Sequence, residues 1–294
     1  MPEDVAAASP EDDGSLRQAL DLAALSPISL PDMTPARKEI REKPRRALLI
    51  AHGSSHRPEA IALTEAIADR LRGVGDYDRV AIAALHGEPG IRVSLESLGD
   101  GPVDIFPLFM SDGFLTRTRI PSLMGTDPSD PRIRYHRPVG CHAAMPGLVA
   151  AEIGALCRSR DLDPGSATIL IVGHGSSRPS ASRDGAEAIA SGLRRLQRFG
   201  TVETAYLEEA PRLGEWLAAC RPDGPPIVVF GLFLGAGQHA SVDLPEVLAR
   251  HREVLSSRIV AMQTMLGNVE ALADLVRSIA DEEPQIAPAR RAKL

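Results

Sequence analysis

The sequence predicts an α/β protein built as two tandem, repeated three-layer α/β/α domains with parallel sheets. Three observations carry this. Short apolar runs ending in or near glycine alternate with stretches of helical periodicity along most of the chain, the order expected of βα units. The apolar runs are nearly continuous, as in strands buried on both faces. The same succession of elements occurs twice within the 294 residues.

Residues 1–44 carry many Pro, Asp, Glu and Ser and only one short apolar stretch, so they read as a poorly ordered N-terminal extension. From Ala47 the pattern changes. ALLIAHG reads as a strand, PEAIALTEAIADRLRG as a helix, RVAIAAL as a strand and EPGIRVSLESLGD as a helix. VDIFPLFM is a third strand, IRYHRPV a weaker fourth, and AAMPGLVAAEIGALCRSR a helix. The second series has strands ATILIVGHG, VETAYLE, PIVVFGLFL and RIVAMQ, separated by SRDGAEAIASGLRRLQRF, PRLGEWLAAC and VDLPEVLARHREVL. NVEALADLVRSIADEE closes it as a helix. The domains are placed at 45–160 and 165–284, with a tail at 285–294.

The repeat is visible residue by residue. LLIAHGSS around His52 matches LIVGHGSS around His174, and AALHGEP around His86 matches AYLEEAP around Glu208, both 122 positions apart. IFPLFMSDG matches VFGLFLGAG, and Pro121 matches Pro245, both at an offset of 124. These segments fall at predicted carboxyl ends of strands, the edge where open α/β sheets bind ligands. They are expected to line one cleft per domain or one cleft shared between the domains.

Composition excludes several classes of function. Aromatic residues make up 3% of the chain and the formal net charge is −6, which argues against nucleic-acid binding. The three cysteines, Cys141, Cys157 and Cys220, form neither a CxxC pair nor a zinc-finger spacing, which fits a reducing cytoplasm. No apolar run approaches the roughly 20 residues of a membrane span, and MPEDVAAASPEDDG lacks the order of a secretory signal. GHGSS is not a nucleophile elbow, and LGAGQ is not a dinucleotide fingerprint.

Chemistry concentrates in the second half, where His174, Glu208 and His239 lie at strand ends. Imidazoles and a carboxylate suit a first-row divalent ion and also accept protons near neutral pH. Gly235, Ala236 and Gly237 are small enough to leave room for a large flat ligand, and Asp243, four residues after His239, can orient its imidazole if the stretch is helical.

The chain resembles the CbiX family, the class II sirohydrochlorin cobaltochelatases and ferrochelatases, over about residues 45–284. The resemblance rests on His174-Gly175-Ser176, on Leu207-Glu208 before a proline, and on Gly237-Gln238-His239 followed by Asp243-Leu244-Pro245. It implies a chelatase-like fold and ATP-independent insertion of a divalent metal into sirohydrochlorin, in cobalamin or sirohaem biosynthesis, with no organic cofactor. His174 and His239 would bind metal and accept protons, assisted by Glu208. The ligand set accepts Co²⁺, Fe²⁺ or Ni²⁺; Co²⁺ is favoured because a fused, double-length form is familiar among cobaltochelatases.

The first half departs from the pattern. His52 is kept, but His86 stands at the Glu position and Leu115 at the second His position. It reads as a degenerate repeat that shapes the cleft or grips substrate, with His52 and His86 as a candidate secondary metal site. A substrate with many carboxylates requires a basic lining. Candidates are Arg178 and Arg183 after the second HGSS, Arg57 after the first, and Arg117 and Arg119 where the first half lacks its His, with Ser176 and Gly237 beside them. Partners are thus a sirohydrochlorin-type tetrapyrrole and a metal ion, with the chain a monomer or homodimer. Two other readings are a non-catalytic metal or tetrapyrrole carrier and a histidine phosphatase; against the latter, Ala51 and Gly173 precede the histidines where arginine is required.

Overall fold

A computed structural model describes residues 45–126, 130–176, 181–221, 223–251, 258–282 and 284. The expected N-terminal extension, the tail and Arg178 lie outside the described residues.

The first repeat contains β1 (Arg46–Gly53), α1 (Ala62–Val74), β2 (Arg79–His86), α2 (Ile91–Ser97), β3 (Val103–Pro107), α3 (Ile120–Leu123), β4 (Ile133–Tyr135) and α4 (Met145–Arg158). The second contains β5 (Thr168–Gly173), α5 (Ala181–Arg195), β6 (Thr201–Tyr206), α6 (Leu213–Ala218), β7 (Ile227–Gly231), α7 (Leu244–Arg250), β8 (Ile259–Gln263) and α8 (Val269–Ala280). Two parallel four-stranded sheets result, ordered β2-β1-β3-β4 and β6-β5-β7-β8. Each chain path starts at an inner strand, moves to one side and then returns to the other. The order therefore reverses between β1 and β3, and again between β5 and β7, where such sheets open a crevice at their carboxyl ends.

The two-residue periodicity of the strands distributes the core. Ala47 and Leu49 of β1, and Ile169 and Ile171 of β5, enter one large apolar cluster. It also takes side chains from α1, α4, α5 and α8, so the two repeats share it. Leu48 and Ile50 point the other way, onto α2 and α3. Leu170 and Val172 likewise meet α6 and α7. No helix among the described residues is long and apolar enough to cross a membrane.

The last helix of each repeat lies on the other repeat, an exchange the linear pattern does not announce. α4 packs on α5, β7 and β8, while α8 packs on α1. Polar contacts pin each one. Glu152 of α4, buried to 8% exposure, accepts from the backbone N–H groups of Gly267 and Asn268 and from the Gln263 amide. On α8, Arg277 pairs with Asp76, and Ala280 O accepts from Arg45 and Arg134. Those two arginines also hold Asp104 of β3, which hydrogen-bonds His136 at 2.8 Å. Burial pushes the Asp104 carboxyl up, but the His136 hydrogen bond and the charges of Arg45 and Arg134 outweigh it and hold it below the usual value. His136 is buried and stacked on Phe106.

Candidate active site

His174 follows β5 directly, and His239 opens a wide π-helical turn, His239–Asp243, after β7. Because β5 and β7 are neighbours at the reversal of strand order, residues 65 apart in sequence come together, with Nε2 of His174 2.7 Å from Nε2 of His239. The rings are nearly perpendicular, with centres 4.0 Å apart. A π turn carries an extra residue and is found often at functional sites. Here it places Asp243 beneath His239.

The hydrogen bonds fix which nitrogens carry protons. His239 Nδ1 donates to Asp243 Oδ2 at 2.7 Å, and His174 Nδ1 donates to Gly175 O at 2.6 Å. Both Nε2 atoms therefore face each other at 2.7 Å, a spacing at which two bare lone pairs repel unless a proton or a metal ion lies between them. Two imidazole nitrogens each about 2.1 Å from one tetrahedral ion stand about 3.4 Å apart. An opening of about 0.7 Å from the observed 2.7 Å would admit a metal between them.

Glu208, at the end of β6 on the other side of β5, has Oε2 3.8 Å from His174 Nδ1 and is half-exposed. It stands behind His174, away from the paired Nε2 atoms. Among the described residues no group of three or more His, Cys, Asp or Glu side chains is placed to hold a metal ion. The histidine pair thus leaves coordination positions for water or substrate.

The first repeat builds the matching edge differently. His52 and His86 end β1 and β2, with ring centres 5.0 Å apart. Leu115 opens the matching π turn, Leu115–Arg119, and packs against the apolar cluster beneath α2 and α3. His52 is open to the cleft yet crowded by protein, and this burial lowers its pKa despite a hydrogen bond to Gly53 O. His86, His239 and His174 lower it further, so the histidines of both repeats act on one another.

Contacts across the repeats join the two edges. At Gly235, with φ +108°, a Cβ would come 2.6 Å from Ala60 O; at Gly185 it would come 2.9 Å from Met110 O. Gly235 therefore lets the first repeat approach, which corrects the expectation that it makes room for ligand. Gly237 does border open space. Of the other expected binding residues, the Ser176 N–H donates to Glu209, and Arg183 lies 3.7 Å from Glu209 and over the Tyr206 ring. Arg117 pairs with Asp112 at 2.9 Å, Arg57 with Glu59, and Arg119 is exposed. Phe109 and Phe233 were missed: their rings lie 6.1 Å from His52 and 6.3 Å from His239. Their shared offset of 124 was the available signal.

The CbiX family model matches residues 46–155 and again 168–283. The chain belongs to the CbiX family. It is a fused, two-repeat member, each repeat contributing one sheet. A probable sirohydrochlorin cobaltochelatase of Halobacterium salinarum is 27% identical over 221 residues, 68% of this chain and 75% of that protein. A multi-domain Deinococcus radiodurans protein, described as structurally similar to chelatases with two additional novel domains, is 28% identical with a TM-score of 0.64. That match covers 82% of this chain, which spans only 56% of the Deinococcus protein. The sirohydrochlorin chelatase SirB of Bacillus subtilis, solved with cobalt, shares the fold at a TM-score of 0.63 and 16% identity, over 82% of this chain and 96% of SirB.

Proposed function

We propose that this chain inserts a divalent metal ion, Co²⁺ in preference to Fe²⁺, into a sirohydrochlorin-type macrocycle without ATP. One observation carries the reading: two imidazole Nε2 atoms converge at the carboxyl edge, with both Nδ1 atoms already engaged. Such a pair holds a metal by few bonds, as delivery requires. Family membership and the cobaltochelatase name of the Halobacterium relative support the substrate and the preference for cobalt.

In this reading His174 and His239 hold the ion facing the macrocycle. As the metal moves to the ring nitrogens, the two departing N–H protons are accepted by the imidazoles as they are released. Glu208, near His174 Nδ1 and open to solvent, passes them outward. Arg183, Arg117 and Arg119, with the Ser176 and Gly237 backbone, bind the peripheral carboxylates. Arg183 and Arg117 then exchange protein carboxylates, Glu209 and Asp112, for those of the substrate.

The test is anaerobic visible spectroscopy of protein with sirohydrochlorin and Co²⁺, Fe²⁺ or Ni²⁺ in turn. Multiple turnovers above the protein-free rate, fastest with Co²⁺, are expected. Stoichiometric binding without turnover would replace the enzyme with a carrier, and faster insertion of Fe²⁺ would overturn the metal preference.

A further inference from the structure

We infer that His52 and His86 form a second divalent-metal site on the same cleft, a loading position that supplies the His174–His239 pair. The first repeat has no donor matching His239, since Leu115 stands there, partly buried against the apolar cluster. It has gained another at the position of Glu208, where His86 stands. Its two nitrogen donors therefore lie on β1 and β2, not on strands matching β5 and β7.

The spacing suits joint ligation. Imidazoles sharing a tetrahedral ion at about 2.1 Å hold their ring centres about 5 Å apart. The observed separation is 5.0 Å, with the planes inclined by 53°. His52 Nδ1 faces Gly53 O at 3.1 Å; a proton there leaves the lone pair on Nε2. Neither ring nitrogen of His86 meets a hydrogen-bond partner among the described residues, and both residues are exposed to solvent. Imidazole donors suit the same first-row ions as the second-repeat pair.

The two repeats meet beside these pairs. Gly235, in the loop leading to His239, lies against Ala60 of the first repeat, and His52 interacts electrostatically with both His174 and His239. An ion held by His52 and His86 needs only ligand exchange, with no change of oxidation state, to pass across the cleft. The loading role rests on the chelatase reading; the existence of the site does not.

Equilibrium dialysis of the full chain against Co²⁺ alone tests the site. The unaltered chain should bind two ions, and His52→Ala, His86→Ala and His239→Ala one each, with near-ultraviolet circular dichroism confirming native packing. One ion in the unaltered chain, or two in His86→Ala and His52→Ala, would overturn the site. The insertion assay tests the role. His86→Ala should lower the rate tenfold or more at limiting Co²⁺ and less at saturating Co²⁺; an unchanged dependence on Co²⁺ would overturn loading. Two bound ions with no insertion by the unaltered chain would sink the chelatase reading and leave the site standing. Insertion with a single bound ion would do the reverse.

Discussion

Removing Asp243 should weaken metal handling without unfolding the protein. Its Oδ2 accepts from His239 Nδ1 at 2.7 Å and its Oδ1 from the Gln238 amide at 3.1 Å. The first bond holds the proton on Nδ1, and so keeps the Nε2 lone pair toward His174. A hydrogen bond to a charged group contributes about 1.5–3 kcal/mol. The side chains of His239 and Asp243 are 33% and 35% exposed, so solvent competes and the lower part of that range applies. A loss of about 1.5–2 kcal/mol corresponds to roughly a 10–30-fold drop. Asp243→Ala should therefore reduce kcat/KM for Co²⁺ insertion by that factor, and Co²⁺ affinity of the His174–His239 site in parallel. Asp243→Asn should fall between, because its single amide oxygen can accept from only one of the two donors while its NH₂ faces the other. Asp243→Ala within twofold of the unaltered chain in both measurements would refute the argument that this carboxylate sets the ring.

His174→Ala and His239→Ala should each lower turnover at least 100-fold in the spectroscopic assay while leaving the urea midpoint nearly unchanged; wild-type rates in both variants would remove these residues from the site. Gly235→Ala should cost about 1–3 kcal/mol in urea unfolding, from positive φ and the clash with Ala60 O. Gly237→Ala, which faces open space, should stay within about 0.5 kcal/mol. Equal costs for the two glycine variants would show that the repeats do not meet at Gly235. Asp104 titrates below its unfolded value near 3.9. Its ionic contribution is thus present above about pH 4 and lost as pH falls through the lower folded value. Asp104→Asn should be destabilised at pH 6, and the gap to the unaltered chain should narrow below about pH 4; a gap that widens with acid would contradict the assigned sign.

Much of the protein was legible in its sequence because the signals are local. Apolar runs and helical spacing gave the βα alternation, and the matched HGSS segments gave the repeat. Strand-end position singled out His52, His174, Glu208 and His239, since parallel sheets present ligands at one edge. The four-residue spacing of His239 and Asp243 suggested their contact, though the wide turn that makes it was not readable. Leu115 could be identified as a missing donor, but not as a side chain packed against the core.

The sequence by itself determined which residues reach the carboxyl edges and that the two repeats carry different donor sets. Tertiary structure alone decided which of them meet. Strand order, with β5 between β6 and β7, turns His174 toward His239 and leaves Glu208 behind it. The exchange of α4 and α8 gives both repeats one core, and the glycines at 185 and 235 let the backbones of the two repeats approach closely. These outcomes depend on burying apolar faces between segments far apart in the chain, and a helix with one apolar stripe does not specify which sheet will cover it.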